Sequence, residues 1–135
     1  MGRWEERDHT ADLSIHVWGA DLEDLFVTAA RGMFALLVDL ETVPTTASAI
    51  VRLDAIDAEA LLVDWLNELL YLAERDQLTA YAAFDFDALT STSLRASVCG
   101  GPVETFRTYI KAATYHNLEI EATRGGYETE IVFDI

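Results

Sequence analysis

The sequence is poor in cysteine, lysine and proline, and it contains no long apolar run. Its single cysteine, Cys99, excludes an internal disulfide and is typical of a protein in a reducing compartment. No stretch approaches the roughly 20 apolar residues that a membrane-spanning helix needs. The first residues also lack the pattern of a signal peptide. We therefore expect a soluble, cytoplasmic protein.

The motifs of the common enzyme classes are missing as well. The chain has no glycine-rich phosphate loop, no Walker lysine and no Gly-x-Ser-x-Gly turn. No serine or cysteine stands beside a plausible general base. A metal-dependent hydrolase is the catalytic alternative, but it too needs a general base that the sequence does not supply. These absences favour a non-catalytic protein that binds or activates another.

Acidic residues outnumber basic residues by 24 to 9, which gives a formal net charge of −15. A surface of this sign repels phosphate backbones, so we expect no direct binding to nucleic acid. Cations and basic protein surfaces are the partners that this charge favours. The 135 residues are 51% hydrophobic and contain no linker-like segment, so we predict one domain over residues 1–135.

Two segments have the apolar periodicity of amphipathic helices. The first spans residues 21–38, with Asp21 as the predicted N-cap. The second spans residues 58–75, and its apolar face is so broad that we expect other elements to cover most of it. Its narrow polar stripe consists of Asp64, Asn67, Glu68, Tyr71 and Arg75.

Alternating and β-branched segments predict the strands. These lie at residues 13–19, 47–54, 79–87, 91–99, 117–123 and 127–135. We expect turns at Gly100-Gly101-Pro102 and at Arg124-Gly125-Gly126, and residues 105–113 fit either a strand or a helix. The sum is an α+β fold, a mostly antiparallel sheet packed by two main helices.

The last predicted strand ends on two neighbouring carboxylates, the side chain of Asp134 and the terminal carboxylate of Ile135. Asp12 opens the first predicted strand. If these two strands pair, all three carboxylates converge, and oxygen ligands favour calcium or magnesium over zinc. The alternative is that Asp12 caps a turn and Asp134 is solvated. The residues alone favour this alternative.

Four further polar residues mark a partner-binding or structural polar site: His9, Asp64, Lys111 and His116. No His-x-x-x-His or Cys-x-x-Cys spacing accompanies the histidines, so His9 is better explained by a hydrogen bond that fixes a turn than by zinc binding. Lys111, the only lysine, has two open roles. It pairs with a buried carboxylate such as Asp64, or it reaches a partner.

Four segments, in order along the chain, carry the most specific pattern. They are Asp-His-Thr-Ala-Asp at residues 8–12, Leu-Val-Asp-Trp-Leu-Asn-Glu-Leu-Leu-Tyr at 62–71, Ile-Lys-Ala-Ala-Thr-Tyr-His-Asn-Leu at 110–118 and Val-Phe-Asp-Ile at 132–135. Together they resemble the archease family over essentially the whole length. The resemblance implies a strand–helix–strand–strand core with an inserted strand and helix.

The resemblance also implies a function and a ligand set. Archeases are accessory proteins that activate RtcB-type RNA ligases in tRNA splicing and RNA repair, promoting guanylylation of the ligase and multiple turnover. The family's metal ligands fall on Asp12, Asp134 and Ile135, with calcium as the expected ion and magnesium or manganese as alternatives. A chaperone-like modulator of RNA-modifying enzymes, such as methyltransferases, is the competing function.

Overall fold

The computed structural model describes residues 2–8, 13–75 and 77–135, and in these ranges eight strands accompany two α-helices. The strands are β1 (Arg3–Asp8), β2 (Leu13–Gly19), β3 (Ala47–Asp54), β4 (Thr79–Leu89), β5 (Ser93–Pro102), β6 (Ala112–Ala113), β7 (Glu121–Thr123) and β8 (Gly126–Asp134). The helices are α1 (Leu22–Leu37) and α2 (Ala58–Glu74), and a short 3-10 turn spans Leu40–Thr42.

The strands form two antiparallel sheets. The first has the order β1-β2-β8-β6, and β7 also pairs with β8; the second has the order β3-β5-β4. The predicted α+β class with two helices and antiparallel strands is therefore confirmed, with the strands divided between two sheets. The pairing that the sequence analysis raised as a condition for converging carboxylates is present, since β2 lies antiparallel to β8.

Both helices begin where an aspartate supplies the N-cap. The Asp21 carboxylate accepts the backbone N–H of Asp24 at 2.7 Å, and the Asp57 carboxylate accepts that of Ala60 at 2.8 Å. Each side chain thereby satisfies one of the N–H groups that a helix leaves unpaired in its first turn.

No helix in the described ranges is long and apolar enough to cross a membrane.

The core is built around α2, whose broad apolar face is buried as predicted. Trp65 is completely buried and its indole N–H donates to the carbonyl of Phe26 on α1 at 3.0 Å. Its ring packs against Phe84 and Phe86 of β4, with centroids 5.9 and 4.9 Å away. One side chain thus ties both helices to the second sheet.

The predicted turn at Gly100-Gly101-Pro102 is wrong, because all three residues belong to β5. Gly100 lies between Tyr81 of β4 and Ala47 of β3. A Cβ atom at Gly100 would overlap the carbonyl oxygen of Ala80. Glycine is needed here because a neighbouring backbone approaches closely, and not because the chain turns.

The remaining differences concern strands with weak local patterns. β1 was not predicted, and residues 105–113 contain only the two-residue strand β6. The final hairpin is shorter than predicted on its first arm, where β7 begins at Glu121. Its turn does use glycine as expected, since Gly126 has a φ of 149°.

Candidate functional site

Asp134, one of the predicted ligands, is the last residue of β8 and is exposed to solvent. Strand alternation points its side chain away from the core, because the preceding residue, Phe133, is completely buried. The side chain of Ile135 is also largely exposed, at 54%. The end of β8 therefore exposes the carboxylate of Asp134 and the side chain of Ile135.

Asp12 and His9 lie outside the described residues. Asp12 directly precedes Leu13, and Leu13 is paired with Phe133, which directly precedes Asp134. Within residues 2–8, 13–75 and 77–135, no three histidine, cysteine or acidic side chains come together as a group that could hold a metal ion. The three-carboxylate cluster thus stays a prediction.

The end of β8 is held on one side by β6. The backbone N–H of Lys111 donates to the carbonyl of Asp134 at 2.8 Å. Thr114 directly follows β6, and its N–H and its hydroxyl both donate to the carbonyl of Val132, at 3.0 and 2.9 Å. Three hydrogen bonds therefore fix the last three residues of β8 to the segment around β6.

β6 is held in turn by a side chain of α2. The Asn67 carboxamide donates from Nδ2 to the carbonyl of Ala113 at 3.1 Å. Its Oδ1 accepts the N–H of the same residue at 2.8 Å. Asn67 was predicted only as part of the polar stripe of α2, and not as a site residue.

Asp64 lies one turn before Asn67 on α2. The sequence suggested an ion pair with Lys111, but the hydrogen-bond partner of Asp64 is Tyr115. The Tyr115 hydroxyl donates to the Asp64 carboxylate at 3.5 Å. No ion pair joins Lys111 to Asp64 among the described residues, and the Lys111 side chain is exposed. Partial burial, followed by the negative charge and hydrogen bond of Asp64, raises the pKa of Tyr115 above its usual 10.0.

His116 belongs to a tight turn next to Tyr115. Its backbone N–H donates to the Thr114 hydroxyl at 3.3 Å, and its Nε2 lies 3.3 Å from Nδ2 of Asn117. Asn117 has a positive φ of 51°, which asparagine tolerates better than most residues. These contacts place His116 in a hydrogen-bonded turn of the exposed surface.

A histidine that the sequence analysis did not single out, His16, lies on the open face of the first sheet. Its Nε2 lies 2.9 Å from a carboxylate oxygen of Glu128, and its ring centroid is 4.3 Å from that of Trp18. The guanidinium of Arg3 lies over the Trp18 ring, 3.8 Å from the ring centroid. Because side chains two residues apart in a strand share a face, the alternation of β2 in the sequence already indicated that His16 and Trp18 lie side by side.

The site as described is a strand end that is hydrogen-bonded to the segment around β6 and carries the exposed carboxylate of Asp134. Such oxygens are the ligands that hard divalent cations prefer. They are also acceptors for the guanidinium and ammonium groups of a basic protein. The arrangement is suited to contact with a cation or a cationic partner.

The comparisons with known proteins agree over the full chain. Residues 4–135 match the model of the archease protein family. The protein archease of Methanosarcina mazei is 37% identical, with 98% of this chain and 96% of that protein covered. The solution structure of Methanobacterium thermoautotrophicum protein 1598 is 27% identical, with 98% of each chain covered and a TM-score of 0.79. A crystal structure of an archease from Thermotoga maritima shares the fold at 22% identity, with a TM-score of 0.68 over 97% of this chain and 96% of that chain.

Proposed function

The chain belongs to the archease family, and from this we propose that it is an accessory protein that activates an RtcB-type RNA ligase in tRNA splicing and RNA repair. In this role it promotes formation of the ligase–guanylate intermediate, so that one ligase molecule completes many joining reactions. It does not itself catalyse ligation. Full-length membership of the family is the observation that carries the proposal.

We place the functional centre at the exposed end of β8. Asp134 and Ile135 are the two predicted ligands in the described part of the chain, and both are exposed. With Asp12 they form an all-oxygen donor set, which fits calcium, or magnesium or manganese in its place. A bound divalent cation supplies positive charge and open coordination positions at this end of the molecule.

The chain's own residues then determine how this end meets the ligase. β6 and the hydrogen bonds of Lys111 and Thr114 hold the last residues of β8 in an extended conformation. The formal net charge of −15 on the whole chain attracts a basic nucleotide-binding surface of the ligase and repels free RNA. The protein thereby approaches the ligase without competing for its substrate.

The deciding experiment is RNA joining by limiting ligase with excess RNA. It compares the wild-type protein with the Asp12→Ala and Asp134→Ala variants, and uses Asp54→Ala as a matched control. Asp54 is an exposed carboxylate at the end of β3, in the other sheet. We expect repeated turnover with the wild type and with Asp54→Ala only.

Two other outcomes separate the alternatives. If the wild type leaves the ligase at a single turnover, the activator function is wrong and suppression of partner aggregation, the chaperone-like role, becomes the hypothesis to test. If Asp134→Ala activates normally, the activator function stands and the metal centre does not. A tag that converts the Ile135 carboxylate to an amide tests that ligand separately.

A further inference from the structure

The end of β8 pairs with β2 on one side, through Leu13 and Phe133, and with a very short strand on the other. β6 contributes only two residues, Ala112 and Ala113, which pair with Asp134 and Phe133. A strand of this length makes too few ladder hydrogen bonds to be stable without further support. The outer edge of β6 must therefore find partners elsewhere.

Those partners come from one side chain. The carboxamide of Asn67 carries a donor and an acceptor in one plane, and both engage Ala113, at 3.1 and 2.8 Å. A neighbouring strand would satisfy the N–H and carbonyl of Ala113 in the same way. Asn67 thus replaces the missing strand on the outer edge of β6.

The contact links α2 to the candidate functional centre through a short chain of bonds. Asn67 lies on a helix whose apolar face is buried in the core, so its backbone is well fixed. Ala113 lies between Lys111 and Thr114, whose N–H groups donate to β8 at Asp134 and Val132. Asn67 therefore connects the fixed backbone of α2 to the exposed end of β8 through these hydrogen bonds.

We propose that Asn67 is a positioning residue that holds the Asp134 end of β8 in its competent conformation through β6. This inference rests on the proposed function for its consequence in the ligase reaction, but its structural part is independent of that function. Asparagine is suited to the task because aspartate lacks the donor and serine lacks the second polar atom.

The structural test is backbone amide hydrogen exchange in Asn67→Ala and Asn67→Asp. The amides of Lys111 and Thr114 report on the pairing of β6 with β8. Loss of one hydrogen bond is expected to accelerate their exchange about tenfold. Asn67→Ala removes both bonds to Ala113, and Asn67→Asp sets a carboxylate oxygen against the Ala113 carbonyl in place of the donor. Exchange of the Lys111 and Thr114 amides should be faster in both variants, while amides in the core of α2 keep wild-type protection.

Glu59→Ala is the matched control. Glu59 also belongs to α2, and its carboxylate accepts the N–H of Ile120 at 3.0 Å. Its removal breaks a helix-to-loop hydrogen bond of the same kind, at a residue outside the pairing of β6 with β8. We expect faster exchange at Ile120 and unchanged exchange at Lys111 and Thr114.

The functional test measures ligase turnover against activator concentration. A lower population of the competent conformation weakens apparent affinity in proportion to the fraction lost. Asn67→Ala should therefore require more protein for half-maximal activation and reach the wild-type maximum, whereas Asp134→Ala should lower the maximum itself. Glu59→Ala should follow the wild-type curve.

Unchanged exchange at Lys111 and Thr114 in Asn67→Ala overturns the proposal, and so does faster exchange throughout the core of α2. Faster local exchange with an unchanged half-maximal concentration overturns the positioning role. A wild-type protein that fails to stimulate the ligase removes the proposed function, while the exchange measurement still decides whether Asn67 orders the end of β8.

Discussion

At the scale of single residues, polar side chains of α2 hold the segment that follows residue 111. Asn67 makes two hydrogen bonds with the backbone of Ala113. The Asp64 carboxylate accepts a hydrogen bond from the Tyr115 hydroxyl, and the Glu59 carboxylate accepts one from the N–H of Ile120. The segment therefore runs antiparallel to the helix. The same segment also buries Ala113 and Leu118 in the core, so polar and apolar contacts together fix its position.

The Tyr115–Asp64 contact predicts a dependence of stability on alkaline pH. The pKa of Tyr115 is raised, so the folded state binds its proton more tightly than the unfolded state. This contribution is complete below pH 10.0, the usual pKa, and is lost as pH rises through the folded-state pKa. Urea unfolding over about pH 9 to 11 should show a steeper loss of stability in the wild type than in Tyr115→Phe.

Tyr109→Phe is the matched control for this measurement, because Tyr109 is equally exposed, at 59% against 58% for Tyr115. No hydrogen bond of its hydroxyl is found among the described residues. Its pH profile should overlay that of the wild type. Identical profiles for Tyr115→Phe and the wild type would contradict the assigned role of Asp64.

At the scale of secondary-structure elements, α2 is the central element of the core. Nine of its residues are buried, and its one tryptophan contacts α1 and β4 together. Packing of this kind makes the stability of α1, α2 and the second sheet interdependent. The same helix carries Asn67 on its polar side, so core and site share one support.

Trp65→Ala should lower the free energy of unfolding by about 3–5 kcal/mol, because it leaves a cavity between both helices and β4. Trp65→Phe keeps an aromatic ring but loses the hydrogen bond to Phe26, and it should cost less. Equilibrium urea unfolding measures both. A loss below about 1 kcal/mol for Trp65→Ala would show that the site relaxes without a cavity.

The pairing of β4 with β5 makes a second prediction at this scale. Gly100→Ala places a methyl group against the backbone of Ala80 and should cost about 1–3 kcal/mol through forced separation of the strands. Ser97→Ala, at an exposed position of the same strand, is the control and should stay within about 0.5 kcal/mol of the wild type. Equal stability of the two variants, measured by thermal unfolding, would refute the close approach.

At the scale of the whole molecule, the dominant feature is the excess of acidic residues. With a formal charge of −15, the protein carries a long-range field that steers basic partners towards it. The association rate with the proposed ligase partner should fall steeply as salt rises from about 0.05 to 0.5 M, because added ions screen this field. Stopped-flow binding tests this, and a rate independent of salt would show that the ligase does not use the field.

Local patterns predicted much of the fold. The bounds of β3 were predicted without error, and α1 and α2 were predicted to within one residue at each end. The N-cap at Asp21 and the glycine turn before β8 were also predicted. Each of these depends on residues that are close in sequence, so periodicity and capping chemistry are sufficient to find them.

The site was predicted less completely. The sequence located the Asp134 carboxylate at the end of the last strand and raised the pairing of β2 with β8 only as a condition. It suggested a Lys111–Asp64 pair where the structure has Tyr115 and Asp64. It also missed Asn67 as a support. Both contacts join residues 46 or more positions apart, and no local pattern records such a contact.

The sequence by itself determined the family, the fold class, the position of the helices and the strong negative charge, because composition and short-range periodicity carry that information. Only the tertiary structure decided that Gly100 lies inside a strand, that β1 closes the edge of the first sheet, and that Asn67 supports β6. These features depend on which backbones come together in space, and burial and hydrogen bonding between distant segments decide that.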